Sequence, residues 1–128
     1  MLRADITAES LRRRQADCLP GRFGLVVTRI AEGRLDAEVT IQPWMLAPNG
    51  YLHAASVLLL ADTSAGYATF AHLPEKAKNF TTIELKTNFL GTALAGARSH
   101  STNVPRSSAG SIISEKISHS DSRTSATL

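Results

Sequence analysis

One acid in this 128-residue chain stands where a charge is costly. Asp62 lies in the middle of Ala54–Leu73, a run without proline and rich in alanine and leucine. Such a run has the length and propensity of one helix, about 28 Å long at 1.5 Å per residue. On a helix, the residues three and four away from Asp62 are Leu58, Leu59, Ala65 and Gly66, all apolar or small. Burial there without a partner costs several kcal/mol or forces protonation, so an acid in this position is paired, interfacial or functional. A carboxylate held in apolar surroundings keeps its proton to higher pH, which suits a general base, and a poorly solvated one attacks more readily as a nucleophile. Ahead of the helix stands His53, in Asn49-Gly50-Tyr51-Leu52-His53. No second His, Cys or acid stands at ligand spacing from it, so it is read as shaping the loop-to-helix junction and not as a metal ligand. His72, His100 and His119 are read as surface residues.

The composition bounds what could position these groups. Its length suits one domain with a real core, and 43% hydrophobic with 20% charged residues is the balance of a globular protein. The net charge of +3 is too small to argue for a polyanionic partner. Aromatics are few and no strand carries a clustered basic face, so nucleic-acid binding has little support. A lone cysteine, Cys18, excludes an internal disulfide and any CxxC pair, which makes the reducing cytoplasm the expected location. Arg3 and Arg12-Arg13-Arg14 near the N-terminus are followed by no apolar core of a signal peptide. The long helix is interrupted by Ser56, Asp62, Thr63, Ser64, Thr69 and His72, too often for lipid, so no membrane partner is expected.

Taken in order, Asp5 to Asp17 reads as a short surface helix capped by Thr7 or Asp5, with the triple arginine on its solvated face and Pro20-Gly21 ending the segment. Phe23 to Ala31 is β-branched and apolar, Glu32-Gly33 is a turn, and Arg34 to Gln42 alternates strictly. Leu35, Ala37, Val39 and Ile41 share one face of this hairpin, with Asp36, Glu38, Thr40 and Gln42 on the other. Pro43 and Pro48 bracket a loop carrying Trp44 and Met45. After the long helix and a polar connection, Thr81 to Leu90 alternates again and reads as a strand, with breaks or bulges at Gly91 and Gly96. From Ala97 the character changes, since ten of the last 32 residues are serine against three in the first 96. Ser111–Ser118 and Ser122–Leu128 read as two further strands joined by His119-Ser120-Asp121, or equally as poorly ordered polar chain. The balance leans toward strands, because a sheet that covers a long apolar helix needs more than three. The implied architecture is α+β, a curved antiparallel sheet around one long helix, in a single domain spanning 1–128 with 97–128 atypical. Two sheet edges and an uncovered helix side lead us to expect an oligomer.

Three motifs in order carry a resemblance: Asn49-Gly50-Tyr51-Leu52-His53-Ala54-Ala55, Asp62 nine residues after the His, and Thr82-Ile83-Glu84-Leu85-Lys86-Thr87-Asn88-Phe89-Leu90. Over roughly 24–96 the chain resembles the hotdog-fold acyl-CoA thioesterases, in particular the 4-hydroxybenzoyl-CoA and phenylacetate-pathway branch. The resemblance implies hydrolysis of an acyl- or aryl-CoA thioester to free acid and CoA, without cofactor or metal, in a homodimer or homotetramer. Asp62 matches the catalytic acid of that family, acting as general base on water or as nucleophile on the thioester carbonyl. Ala54 matches the glycine whose backbone N–H polarises that carbonyl, and Thr82 matches a Ser/Thr that helps place the water and, in some relatives, comes from the neighbouring subunit. Asn49, Gly50, His53 and Ala55 match the turn and helix start that bind substrate. A purely structural role for Thr82 stays open beside this one.

The chemistry of a helix start agrees, since its unsatisfied N–H groups and dipole stabilise an oxyanion, one such donor being worth about 10²–10³ in rate. Ala54 and Asp62 are two turns apart, about 12 Å along the axis. That span suggests that donor and acid meet across a dimer interface, in which case mixed Asp62→Asn and Thr82→Ala subunits would regain activity. The family's His-Gly-Gly is here His53-Ala54-Ala55, and the alanine methyl crowds a ligand approaching the backbone. The serine-rich tail also departs from the family's final strands, with only Val104-Pro105-Arg106-Ser107 near its Gly-Arg bend. The alternative is therefore a non-catalytic protein that binds acyl-CoA or another apolar ligand. A hotdog hydratase has less support, because its Asp-His or His-Glu pair has no counterpart around Asp62. Pocket length is expected to depend on packing around Trp44, Leu58 and Phe70.

Overall fold

The computed structural model describes residues 1–89, 91–106, 110–118 and 125–127. The first helix, α1 (Ala8–Gln15), starts where expected, because Thr7 and Ser10 cap each other. Ser10 N–H donates to Thr7 Oγ1 at 3.1 Å and Thr7 N–H to Ser10 Oγ at 2.9 Å. Arg12 and Arg13 face solvent and pair with Glu9, while Leu11 and Gln15 turn inward. Pro20-Gly21 does not end the helical chain. A second short helix, α2 (Leu19–Phe23), begins there with Pro20 in its first turn, where a missing N–H costs nothing, and closes on Gly24 at φ 83°. The following strand, β1 (Val26–Ala31), accordingly starts three residues later than the apolar pattern suggested.

The hairpin between β1 and β2 (Arg34–Thr40) turns at Glu32-Gly33 and pairs Val26 with Glu38 and Ala31 with Arg34. Leu35, Ala37, Val39 and Ile41 are all buried, so the alternation read from the sequence is the core face. Three more strands complete an antiparallel sheet in the order β1-β2-β3-β4-β5: β3 (Arg98–Arg106), β4 (Gly110–Ser118) and β5 (Ser125–Thr127). The two tail strands expected from Ser111 and Ser122 correspond to β4 and β5, whereas His119-Ser120-Asp121 lies outside the described residues. No periodic pattern marks β3, yet it is the middle strand, pairing Leu35 with Asn103 on one side and Arg98 with Ser118 on the other. Its inward positions are Ser99, Ser101 and Asn103, all buried, so the usual apolar mark of a central strand is missing. Val104-Pro105-Arg106 belongs to this strand and is not a bend.

The long helix is α3 (Ala54–Ala71), two residues shorter than the apolar run and closed by His72. It lies against β2, β3 and β4. Leu60, Ala68 and Ala71 join Leu35, Val39 and Ile41 in one core, to which Ile6, Leu11 and Phe23 add the underside of the N-terminal helices. Where α3 meets β3 the contact is polar: Ser64 Oγ donates to the Leu60 carbonyl at 2.6 Å and lies 2.8 Å from Ser101 Oγ. His72 is half-buried and not a free surface group. Its Nδ1 lies 2.7 Å from the Ala68 carbonyl, and its Nε2 accepts the Gly33 N–H at 2.9 Å, which ties the hairpin turn to the end of α3.

Of the strand expected over Thr81–Leu90, the described part does not form, and Leu90 lies outside the described residues. Residues 81–89 hold no regular secondary structure, and Ile83 is 95% exposed. Glu84 and Lys86 therefore line no sheet face, and the apolar members of the alternation remain open to solvent. An alternating segment becomes a strand only when another strand completes its hydrogen bonds, and among the described residues no strand pairs with it.

Candidate functional site

His53 closes the start of α3. Its Nδ1 accepts the Ala55 N–H at 2.9 Å, and its carbonyl accepts from Ser56 and Val57 at 2.9 and 3.3 Å. Among the described residues, Ala54 N–H is the one donor of that first turn left without a partner, and Ala54 is exposed. The loop before it is built by local bonds: Tyr51 N–H donates to Asn49 Oδ1 at 3.2 Å and Gly50 N–H to the Ala47 carbonyl at 2.9 Å. Asn49, Gly50, His53, Ala54 and Ala55 thus gather at one end of α3, around one open N–H.

Two turns along the helix, Asp62 sits at a cavity of about 270 Å³. Leu11 and Arg14 of α1, Thr63, Gly66, Tyr67 and Phe70 of α3, and Asn79 and Phe80 of the segment after it line the cavity. This volume lies near the lower end for small-molecule sites, roughly 300–1,000 Å³. Asp62 is half-buried, and its Oδ1 accepts the Thr82 hydroxyl at 2.9 Å from the same chain. Among the described residues no hydrogen bond to Oδ2 is formed, so that oxygen can accept from a water or a substrate atom. Because Thr82 reaches the acid of its own chain, Asp62→Asn and Thr82→Ala disable the same pair, and mixing those subunits tests nothing across an interface.

The structure brings Asp62 and Thr82 together and leaves Ala54 apart from them within the chain. Of the three residues expected to bound a pocket, Phe70 does so. Trp44 is 64% exposed and packs edge-on against Phe23, with ring centres 5.5 Å apart, and Leu58 does not line the cavity. Arg14 is not merely a solvated charge, since its guanidinium lies 5.3 Å from the centre of the Phe70 ring, with Arg3 at 5.4 Å. Tyr67 donates its hydroxyl to Gln15 Oε1 at 2.8 Å, and Gln15 Nε2 donates to the Leu25 carbonyl at 2.7 Å, which holds α1, α3 and the approach to β1 together. Burial, with a smaller contribution from Cys18, pushes the Tyr67 hydroxyl above its ordinary pKa of 10.0. Gly66, Tyr67, Phe80 and Arg14 were not legible as site residues. The one signal for Gly66 was its spacing of four from Asp62 on an unbroken helix.

Solved structures share this fold. A thioesterase from Pseudomonas aeruginosa, crystallised as a glutamine-to-alanine variant, superposes with a TM-score of 0.79 over 98% of this chain and 91% of its own, at 16% identity. This is a hotdog fold. The same hotdog architecture is found in zebra fish thioesterase superfamily member 2, with TM-score 0.73 at 15% identity, covering 94% of this chain and 92% of that one. It recurs in the E. coli PaaI protein of the phenylacetic acid degradation operon, with TM-score 0.69 at 19% identity, covering 86% and 77%. No protein-family model and no curated protein matches the sequence. Among the described residues no group of His, Cys, Asp and Glu could hold a metal, and no helix is long and apolar enough to cross a membrane.

Proposed function

We propose that this chain, as one hotdog domain, hydrolyses an acyl- or aryl-CoA thioester to the free acid and CoA. The observation that carries the reading is Asp62 at a mostly apolar cavity and held by Thr82, on a helix whose first turn presents, among the described residues, one unused N–H at Ala54. The hotdog likeness to thioesterases supports the same chemistry. The carbonyl oxygen of the thioester takes the Ala54 N–H, and the positive end of α3 stabilises the oxyanion. Thr82 holds Asp62 by Oδ1, and Oδ2 takes the proton of a water as its oxygen attacks the carbonyl carbon. The C–S bond then breaks, and the proton passes to the departing thiolate. In the nucleophilic variant, an Asp62 oxygen forms the bond to carbon, the C–S bond breaks to release CoA thiolate, and water then hydrolyses the mixed anhydride to the free acid and the Asp62 carboxylate, its released proton going to the thiolate.

Asp62 and Ala54 of one chain are separated by about 12 Å of helix axis. The site is complete only if the acid of one copy faces the N–H of a second, so the active form is a homodimer or a pair of dimers. A cytoplasmic location follows from acyl-CoA as substrate and from the lone, exposed Cys18. Thiol release from short, aromatic and long acyl-CoAs tests the proposal, with turnover of at least one class expected. The second reading, a binder without turnover, draws on Ala54 itself, whose methyl stands beside the N–H that the carbonyl must reach. Tight acyl-CoA binding with thiol release at background for every class would leave that reading in place of hydrolysis.

A further inference from the structure

The segment 79–89 runs without regular structure beside α3, yet it delivers Thr82 to Asp62 within 2.9 Å. Its other hold on the helix is Phe80. A Cβ at Gly66 would stand 2.8 Å from Phe80 Cζ, closer than a Cβ and a ring atom approach, and 3.2 Å from Cε2, a tight contact. Gly66 is thus the gap in α3 into which the Phe80 ring sinks, and it lies one turn from Asp62 on the same face. The same ring lines the Asp62 cavity together with Leu11, Tyr67 and Phe70. Three of these groups belong to regular elements and are fixed by packing. Phe80, like its neighbour Asn79, sits on irregular chain.

We infer that Phe80, seated on Gly66, is both the specificity-determining wall of the cavity and the residue that positions Thr82 on Asp62. The inference rests on the thioesterase reading for its substrate. With the ring in place the cavity takes a compact apolar acyl or aryl group, and longer acyl groups are excluded by the ring itself. Because Phe80 and Thr82 are two residues apart, displacing the ring carries the hydroxyl away from the acid.

The test uses the full chain with a series of acyl-CoAs from short through aryl to long, and thioether-CoA analogues of the same acyl groups for binding by calorimetry. Phe80→Ala is expected to shift the ratio of kcat/KM for long over compact acyl groups by about tenfold or more, since even one methylene in an apolar pocket discriminates by that much. Gly66→Ala is expected to lower kcat on the best substrate more than it raises KM, while the melting temperature holds, because alanine is the better helix former. In Gly66→Ala/Phe80→Ala the added methyl meets no ring, so the double variant is expected to match Phe80→Ala. An unchanged acyl ranking in Phe80→Ala, in both turnover and binding, overturns the inference. So does a double variant weaker than Phe80→Ala by the full factor that Gly66→Ala costs alone. If the unaltered protein binds the analogues but releases no thiol, the hydrolase proposal falls, and the shift in binding rank still decides the role of Phe80.

Discussion

Asp62 and Thr82 form a pair whose value is in placement, since a hydroxyl bonded to Oδ1 fixes which oxygen is free to take a proton. Asp62→Asn keeps the size and loses the base, so thiol release is expected to fall by about 10²–10⁴ with little change in fold. Thr82→Ala should cost less and Thr82→Ser almost nothing, a ranking read from kcat on one substrate. Tyr67 offers a separate check on packing. Its phenol is held protonated above the ordinary value of 10.0, mainly by burial. The folded chain therefore keeps a proton that the unfolded chain gives up, so the stability from this group is present below pH 10 and is lost as pH rises beyond it. Tyr67→Phe is expected to cost about 1 kcal/mol at neutral pH by loss of the bond to Gln15, and to flatten the decline in urea midpoint above about pH 10.

At the scale of elements, α3 owes its ends to two histidines with opposite duties. His53 accepts an N–H at the first turn, and His72 ties the last turn to the β1–β2 turn through Ala68 and Gly33. His72→Ala removes two hydrogen bonds to backbone groups and is expected to lower unfolding free energy by about 1–2 kcal/mol, measured by urea unfolding, without altering acyl preference. The N-terminal half was legible because capping residues and strict alternation act locally: Thr7 caps α1, and Leu35 to Ile41 bury the face they present. The serine-rich β3 was not, because Ser101 is held by Ser64 of α3 and by Asn103, an arrangement set by a neighbour and not by periodicity. Pro20 was misread for a related reason, since a proline that breaks one helix can begin the next.

For the whole molecule, the separation of Ala54 from Asp62 leads to a prediction about assembly. Ala54→Pro deletes the one N–H in question at the first helical position, where proline is favoured, and His53 at φ −68° and ψ 138° already has the extended backbone that precedes a proline. The variant should fold and lose most thiol release. Mixed with Asp62→Asn subunits, it is expected to regain about a quarter of the original activity, since half the dimers are then mixed and each has one intact site. Activity that stays at the level of the separate variants would place donor and acid in one chain and remove the need for a second copy.

The sequence by itself determined the N-terminal helix, the hairpin and its buried face, the long helix with Asp62 at its centre, and the hotdog likeness that joins them, because each of these is written in neighbours a few residues apart. Only the tertiary structure decided that 98–106 is the middle strand, that 81–89 pairs with no strand among the described residues, and that Phe80 fills the gap at Gly66. Those outcomes depend on which surfaces meet after the chain has closed on itself, and a strand without an adjoining edge or a ring without a glycine beneath it leaves no periodic trace in the order of residues.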